Sequence, residues 1–160
     1  MIIDPQWLAI ARPLVGLHEI KGATHAPEIL EMWRAIKRSG IQSDEVPWCA
    51  AFVGSCLERA GVRSSRFESA KSYLDWGVRL SNPVHGCIVV FSRDGGGHVG
   101  FVVGRDEQDN LLVLGGNQGD SVSVKAFSRE RVTGYRWPVD QVIPAIPLQL
   151  GAAEPSMSEA

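Results

Sequence analysis

The apolar positions change their period once along this chain, near residue 86. Before it, hydrophobic residues recur three and four apart, the spacing of one face of a helix. Asp4 and Pro5 form a helix-start pair, predicting a short helix towards Leu14. Pro27 opens a second, with Ile29, Leu30, Trp33 and Ile36 on one side and Gly40 ending it. In the third and clearest, Cys49, Phe52, Val53, Cys56, Leu57 and Ala60 share one face and Gly61 closes it. A weaker helical segment runs from about Ser69 to Trp76, before Gly77.

After residue 86 the apolar residues come in short blocks: CIVVF (87–91), VGFVV (99–103), LLVL (111–114), VSVKAF (122–127) and TGYRW (133–137), divided by Gly, Asp and Asn turns. These predict strands of an antiparallel sheet. Helices first and strands afterwards predict an α+β domain, with the N-terminal helices packed on one face of a C-terminal antiparallel sheet. Residues 1–138 form the expected catalytic domain, and the proline-rich 139–160 a C-terminal strap ending in a flexible tail.

At 160 residues the chain is long enough for one domain that buries roughly two-thirds of its unfolded surface. A hydrophobic share of 44% and a charged share of 21% describe an ordinary globular composition. The net charge of −2 excludes the basic footprint of a nucleic-acid binder. The first residues lack a basic leader, and Asp4, Pro5, Arg12 and Pro13 interrupt their apolar run. Cytoplasmic synthesis without a signal peptide, no stable membrane insertion and a monomer are the corresponding expectations.

Three cysteines without CxxC spacing imply neither a disulfide framework nor a zinc site. Cys49 stands apart because its helix starts at or just before it. Unpaired backbone amides and the positive end of the helix dipole are expected to lower its thiol pKa there. Cys56, two turns on, and Cys87, in a buried-looking strand, read as core. A thiol nucleophile needs a base, and His98 is expected as the first residue of a strand after the turn RDGGG. His18, His25 and His85 occupy expected loops. The imidazole must be held in one tautomer; Asn117 in LGGNQGD is the first choice for that role, with Gln118 and Asp120 as alternatives. The amide of Cys49 is a natural oxyanion donor, and the second donor stays open. Trp48, Gln118 and Glu19 are the candidates for lining the substrate or oxyanion, although a lone loop glutamate such as Glu19 is ordinarily solvated. The acidic run RDEQDN lacks the spacing of a calcium loop, so no metal is expected.

At these residues the chain resembles the CHAP family of cysteine- and histidine-dependent amidohydrolases/peptidases and, more distantly, the NlpC-type cell-wall peptidases. PWCAAFV (47–53) looks like the nucleophile helix, GCIVVFSRDGGGHVGFVVG (86–104) like the strand pair carrying the histidine, and LGGNQGDSVSV (114–124) like the third segment. With GLHEIKG and GYRWP, the likeness spans about residues 5 to 138. It implies a papain-like fold, no cofactor, cleavage of an amide bond in bacterial peptidoglycan, and Cys49, His98 and Asn117 as nucleophile, base and orienting residue. Many members carry Gly-Asp where this chain has Gly86-Cys87. The compact domain expected without a signal peptide is similar to phage endolysins, which reach the wall once a holin opens the membrane. An injected antibacterial amidase toxin, a catalytically silent wall-binding module and a thiol acyltransferase are the alternative readings.

Overall fold

The computed structural model describes residues 3–20, 25–41, 47–93 and 96–156. Its helices are α1 (Gln6–Ala11), continued by a 3-10 turn at Arg12–Leu14, α2 (Pro27–Ala35) and α3 (Cys49–Arg59). A 3-10 helix at Ala70–Asp75 then leads into the strands β1 (Val78–Leu80), β2 (Ile88–Arg93), β3 (Gly96–Arg105), β4 (Leu111–Gly115), β5 (Ser123–Phe127) and β6 (Val132–Trp137). The six strands form one antiparallel sheet in the order β1-β6-β2-β3-β4-β5. The fold is α+β, as the change of period predicts.

Helix α3 is the centre of the core. Every residue from Cys49 to Leu57 is buried, because α2 and α1 cover the side that β3 and β4 leave open. Phe52 meets Phe101 of β3 edge-on, with ring centroids 6.2 Å apart. Helix α1 docks through Trp7, whose indole N–H donates to Gly86 O at 2.8 Å and whose ring packs edge-on against Trp137 at 5.2 Å. The acidic run after β3 is a turn: Asp106 Oδ1 accepts the amides of Gln108 and Asn110 at 3.0 and 2.9 Å.

Two expectations change, and two features are added to the sequence reading. Asp4 does not cap α1; its carboxylate bonds Arg12 and, at 2.7 Å, His85 Nε2, which ties the chain before α1 to the approach of β2. The three-residue β1 is too short for a periodic signal and exists because β6 pairs with it. His98 is the third residue of β3, since Gly96 and Gly97 already pair with Arg93 and Ser92. The end of the chain is fastened as far as Ser156: Arg105 N donates to Gln149 O at 2.9 Å, Ala126 N to Glu154 O at 2.8 Å, and Ser156 N to Ala126 O at 3.0 Å. The two bonds at Ala126 cover backbone of the edge strand β5, which would otherwise stand open there. The last four residues lie outside the described ones. Among the described residues no helix is long and apolar enough to cross a membrane.

The C-terminal end of α3 is braced by Glu58, which accepts from Arg66 Nε at 2.9 Å and from the Ser64 amide and hydroxyl at 2.9 and 2.8 Å. Burial alone would raise this carboxyl, but Arg66 and Ser64 outweigh it and hold the pKa at about 2. A folded-state pKa below the unfolded one stabilises above the unfolded value, and that contribution is lost as pH falls through the folded one. Chemical denaturation should therefore show stability falling from about pH 4.5 towards pH 2, by on the order of 1 kcal/mol from this brace after solvent screening. Glu58→Gln should remove that part of the slope.

Candidate active site

Cys49 is the first residue of α3, with Trp48 as its N-cap. Helix α3 packs on β3, and the backbone amide of Val99, the residue after His98, acts on the Cys49 thiol. The helix that begins at Cys49 therefore lies against the strand that carries the histidine, although 48 residues of chain intervene between Cys49 and His98. Cys49 is 4% exposed and His98 fully buried.

This burial reverses the expected thiol acidity. Desolvation pushes the Cys49 pKa up, and the Val99 amide, the charge of Arg93 and the amides of Ala50 and Cys49 itself oppose it without overcoming it. The helix terminus acts in the expected direction but is outweighed. Cys56 and Cys87, whose expected core roles the structure matches, are pushed by burial to about 12.

His98 is oriented by Gln118. Its Nε2 lies 3.0 Å from Gln118 Oε1. The amide orientation follows from its other end, where Gln118 Nε2 donates to Val113 O at 3.2 Å and Ser123 O at 2.9 Å. Turning the amide over would set its oxygen against two carbonyl oxygens. Oε1 must therefore face the imidazole and accept, which puts the proton on His98 Nε2 and makes Nδ1 the basic nitrogen. The ring is also held by an aromatic shelf: Phe127 stacks on it at 5.4 Å and 7°, and Phe91, its partner across β2 and β3, at 6.3 Å and 25°. Arg131 lies over both phenyl rings at 5.8 and 5.6 Å.

The sequence reading gave the orienting role to Asn117 and kept Gln118 as an alternative; the structure gives the bond to Gln118. Asn117 is buried with φ +60°, in the left-handed region that asparagine tolerates. The chain turns there, and the turn sends the next side chain back beneath β4 to the imidazole. Two glycines make the approach possible. A Cβ on Gly115 would collide with Gln118 Oε1 and come within 3.4 Å of His98 Nε2. One on Gly116 would lie 2.7 Å from Phe52 Cβ and from Trp48 Cζ3.

Trp48 and Glu19 meet each other. The indole N–H of the fully buried Trp48 donates to Glu19 Oε2 at 3.0 Å, so Glu19 is partnered by protein instead of solvated. Of the other histidines, His18 forms a bridge with Ser121, and His85 serves Asp4. The residues that sequence reasoning missed are Val99, which acts through its backbone, and Phe91, Phe127 and Arg131. The two phenylalanines stand in apolar strand blocks, but nothing along the chain says that they flank His98.

Residues 41–117 match the model of the CHAP domain family. The CHAP match takes in α3, β2, β3 and β4, and with them Cys49, His98 and Asn117. It stops one residue short of Gln118 and leaves Glu19, β5 and β6 outside. No curated protein matches the chain.

Gln118→Leu should release the imidazole from its single tautomer. Nitrogen-15 spectra of the histidine ring should show the Nε2–H form dominant in the parent protein and mixed tautomers in the variant. Asn117→Ala should leave the Nε2–H form in place if its role is the turn.

Proposed function

We propose that the chain is a thiol-dependent hydrolase of peptidoglycan that cuts an amide bond, either between muramic acid and the stem peptide or within the peptides. The packing of α3, which begins at Cys49, on β3, which carries His98 with its tautomer selected by Gln118, supports the reading. The CHAP match over these elements supports the hydrolase class and the wall substrate.

His98 Nδ1 takes the proton of Cys49 as the sulfur forms its bond to the amide carbonyl carbon. A neutral thiol makes this a coupled transfer, since a standing thiolate would have to survive in a buried place. The carbonyl oxygen gains the charge, and the amide of Cys49, which has no carbonyl of its own helix to bond at the helix start, is a donor for it. The imidazolium then protonates the leaving nitrogen as the C–N bond breaks. Water, deprotonated by Nδ1, attacks the thioester and releases the acid and the thiol. Gln118 holds Nε2–H throughout, and Phe127 keeps the ring plane.

The setting we propose is that of an endolysin, a monomer that meets the wall after the membrane has been opened by another protein; the same chemistry would serve an antibacterial toxin. Purified Cys49→Ala should still sediment with sacculi but clear them at least about 10³-fold more slowly than the parent, and His98→Ala should behave alike. Clearing retained by Cys49→Ala overturns the thiol mechanism. A parent protein that binds sacculi without cutting is a silent wall module, and one that passes the acyl group to an added amine is a transferase. Sequencing the new ends assigns the bond: a freed L-alanine amine marks an amidase, and an end inside the stem or cross-bridge an endopeptidase.

A further inference from the structure

The segment at residues 16–19 touches both halves of the site. Gly16 N donates to Val122 O and Val122 N to Leu17 O, each at 2.9 Å, His18 bridges Ser121, and Glu19 N donates to Asp120 O at 3.1 Å. This is the loop that carries Gln118, whose own amide donates to Ser121 O at 2.9 Å. From the same segment the Glu19 carboxylate reaches the indole N–H of Trp48, the N-cap residue of the nucleophile helix. The indole in turn lies against Gly116, two residues before Gln118. A closed circuit results: Glu19 to Trp48, Trp48 to Gly116, and the 116–122 loop back to Glu19.

We propose that Glu19 is a positioning residue that, by holding the Trp48 indole, keeps the sulfur of Cys49 in register with the loop that orients His98; this rests on the thiol-hydrolase reading above. The physical ground is the burial of Trp48. A buried indole N–H without an acceptor is costly, so removing the carboxylate drives the ring to another place, and the residue bonded to it is Cys49. The ring also fills the space that Gly116 leaves, so it cannot move without displacing the loop. Glu19 lies outside the CHAP match and acts through Trp48, not on the substrate.

The test compares the parent with Glu19→Gln, Glu19→Leu, Trp48→Phe and the double variant Glu19→Leu/Trp48→Phe. The rate of Cys49 alkylation by iodoacetamide is read by mass spectrometry, and kcat and KM are measured on solubilised muropeptides. A carboxamide oxygen still accepts from the indole, so Glu19→Gln should recover most of the parent rates. Glu19→Leu and Trp48→Phe should each slow alkylation and kcat by roughly 10- to 100-fold, with KM nearly unchanged. The double variant should be no slower than the slower single one. The proposal is overturned if Glu19→Gln is as impaired as Glu19→Leu, if KM rises while kcat holds, or if the two losses multiply. Should Glu19→Leu not fold, Trp48→Phe with and without Glu19→Gln carries the same comparison: equal rates support the bond and multiplied losses overturn it. A parent protein that leaves muropeptides uncut, with the alkylation pattern intact, overturns the hydrolase reading and not this one.

Discussion

The close approach of β4 to the nucleophile helix governs the site. At Gly115 the strand is bare enough for Gln118 and His98 to meet, and at Gly116 bare enough for Trp48 and Phe52 to press against the backbone. A methyl group at either glycine would occupy space that a partner already fills. Imidazole, carboxamide and the start of α3 can crowd this backbone because two side chains are missing from it.

Burial shapes the chemistry as much as proximity does. A helix N-terminus lowers a thiol pKa, but Cys49 sits in a dry place where desolvation is the larger effect. Burial therefore favours the neutral form of the candidate thiol, while Gln118 fixes the proton of His98 on Nε2. A neutral pair costs less to bury than an ion pair whose charges water cannot reach.

Each member of the site is supported by a neighbour that does no chemistry. Gln118 is pinned through its own nitrogen by Val113 and Ser123, and His98 lies on Phe127 and Phe91 with Arg131 above both phenyl rings. Trp48 is held by Glu19. These supports come from residue 19, from β2, β4 and β5, and from the turn before β6, so the site draws on segments well before Cys49 and well after His98.

The sequence by itself determined the class of fold and the pair Cys49 and His98 as candidates. Period 3.6 before residue 86 and short β blocks after it are local properties that burial enforces along each element, and a cysteine that starts an apolar stripe is visible without coordinates. It also pointed to the LGGNQGD segment as the third component. Only the tertiary structure decided which residue of that segment meets the imidazole, because the choice between Asn117 and Gln118 depends on a backbone turn at φ +60°. Likewise the acidity of Cys49 could not be read from its place at a helix start: desolvation is set by what packs around the sulfur, and β3, far along the chain, does the packing. Short pairings such as β1 with β6, the strap that ends at Ser156 and the bond from Glu19 to Trp48 escaped for the same reason. They are contacts between distant segments with no period of their own, and they exist only once the sheet has placed their partners.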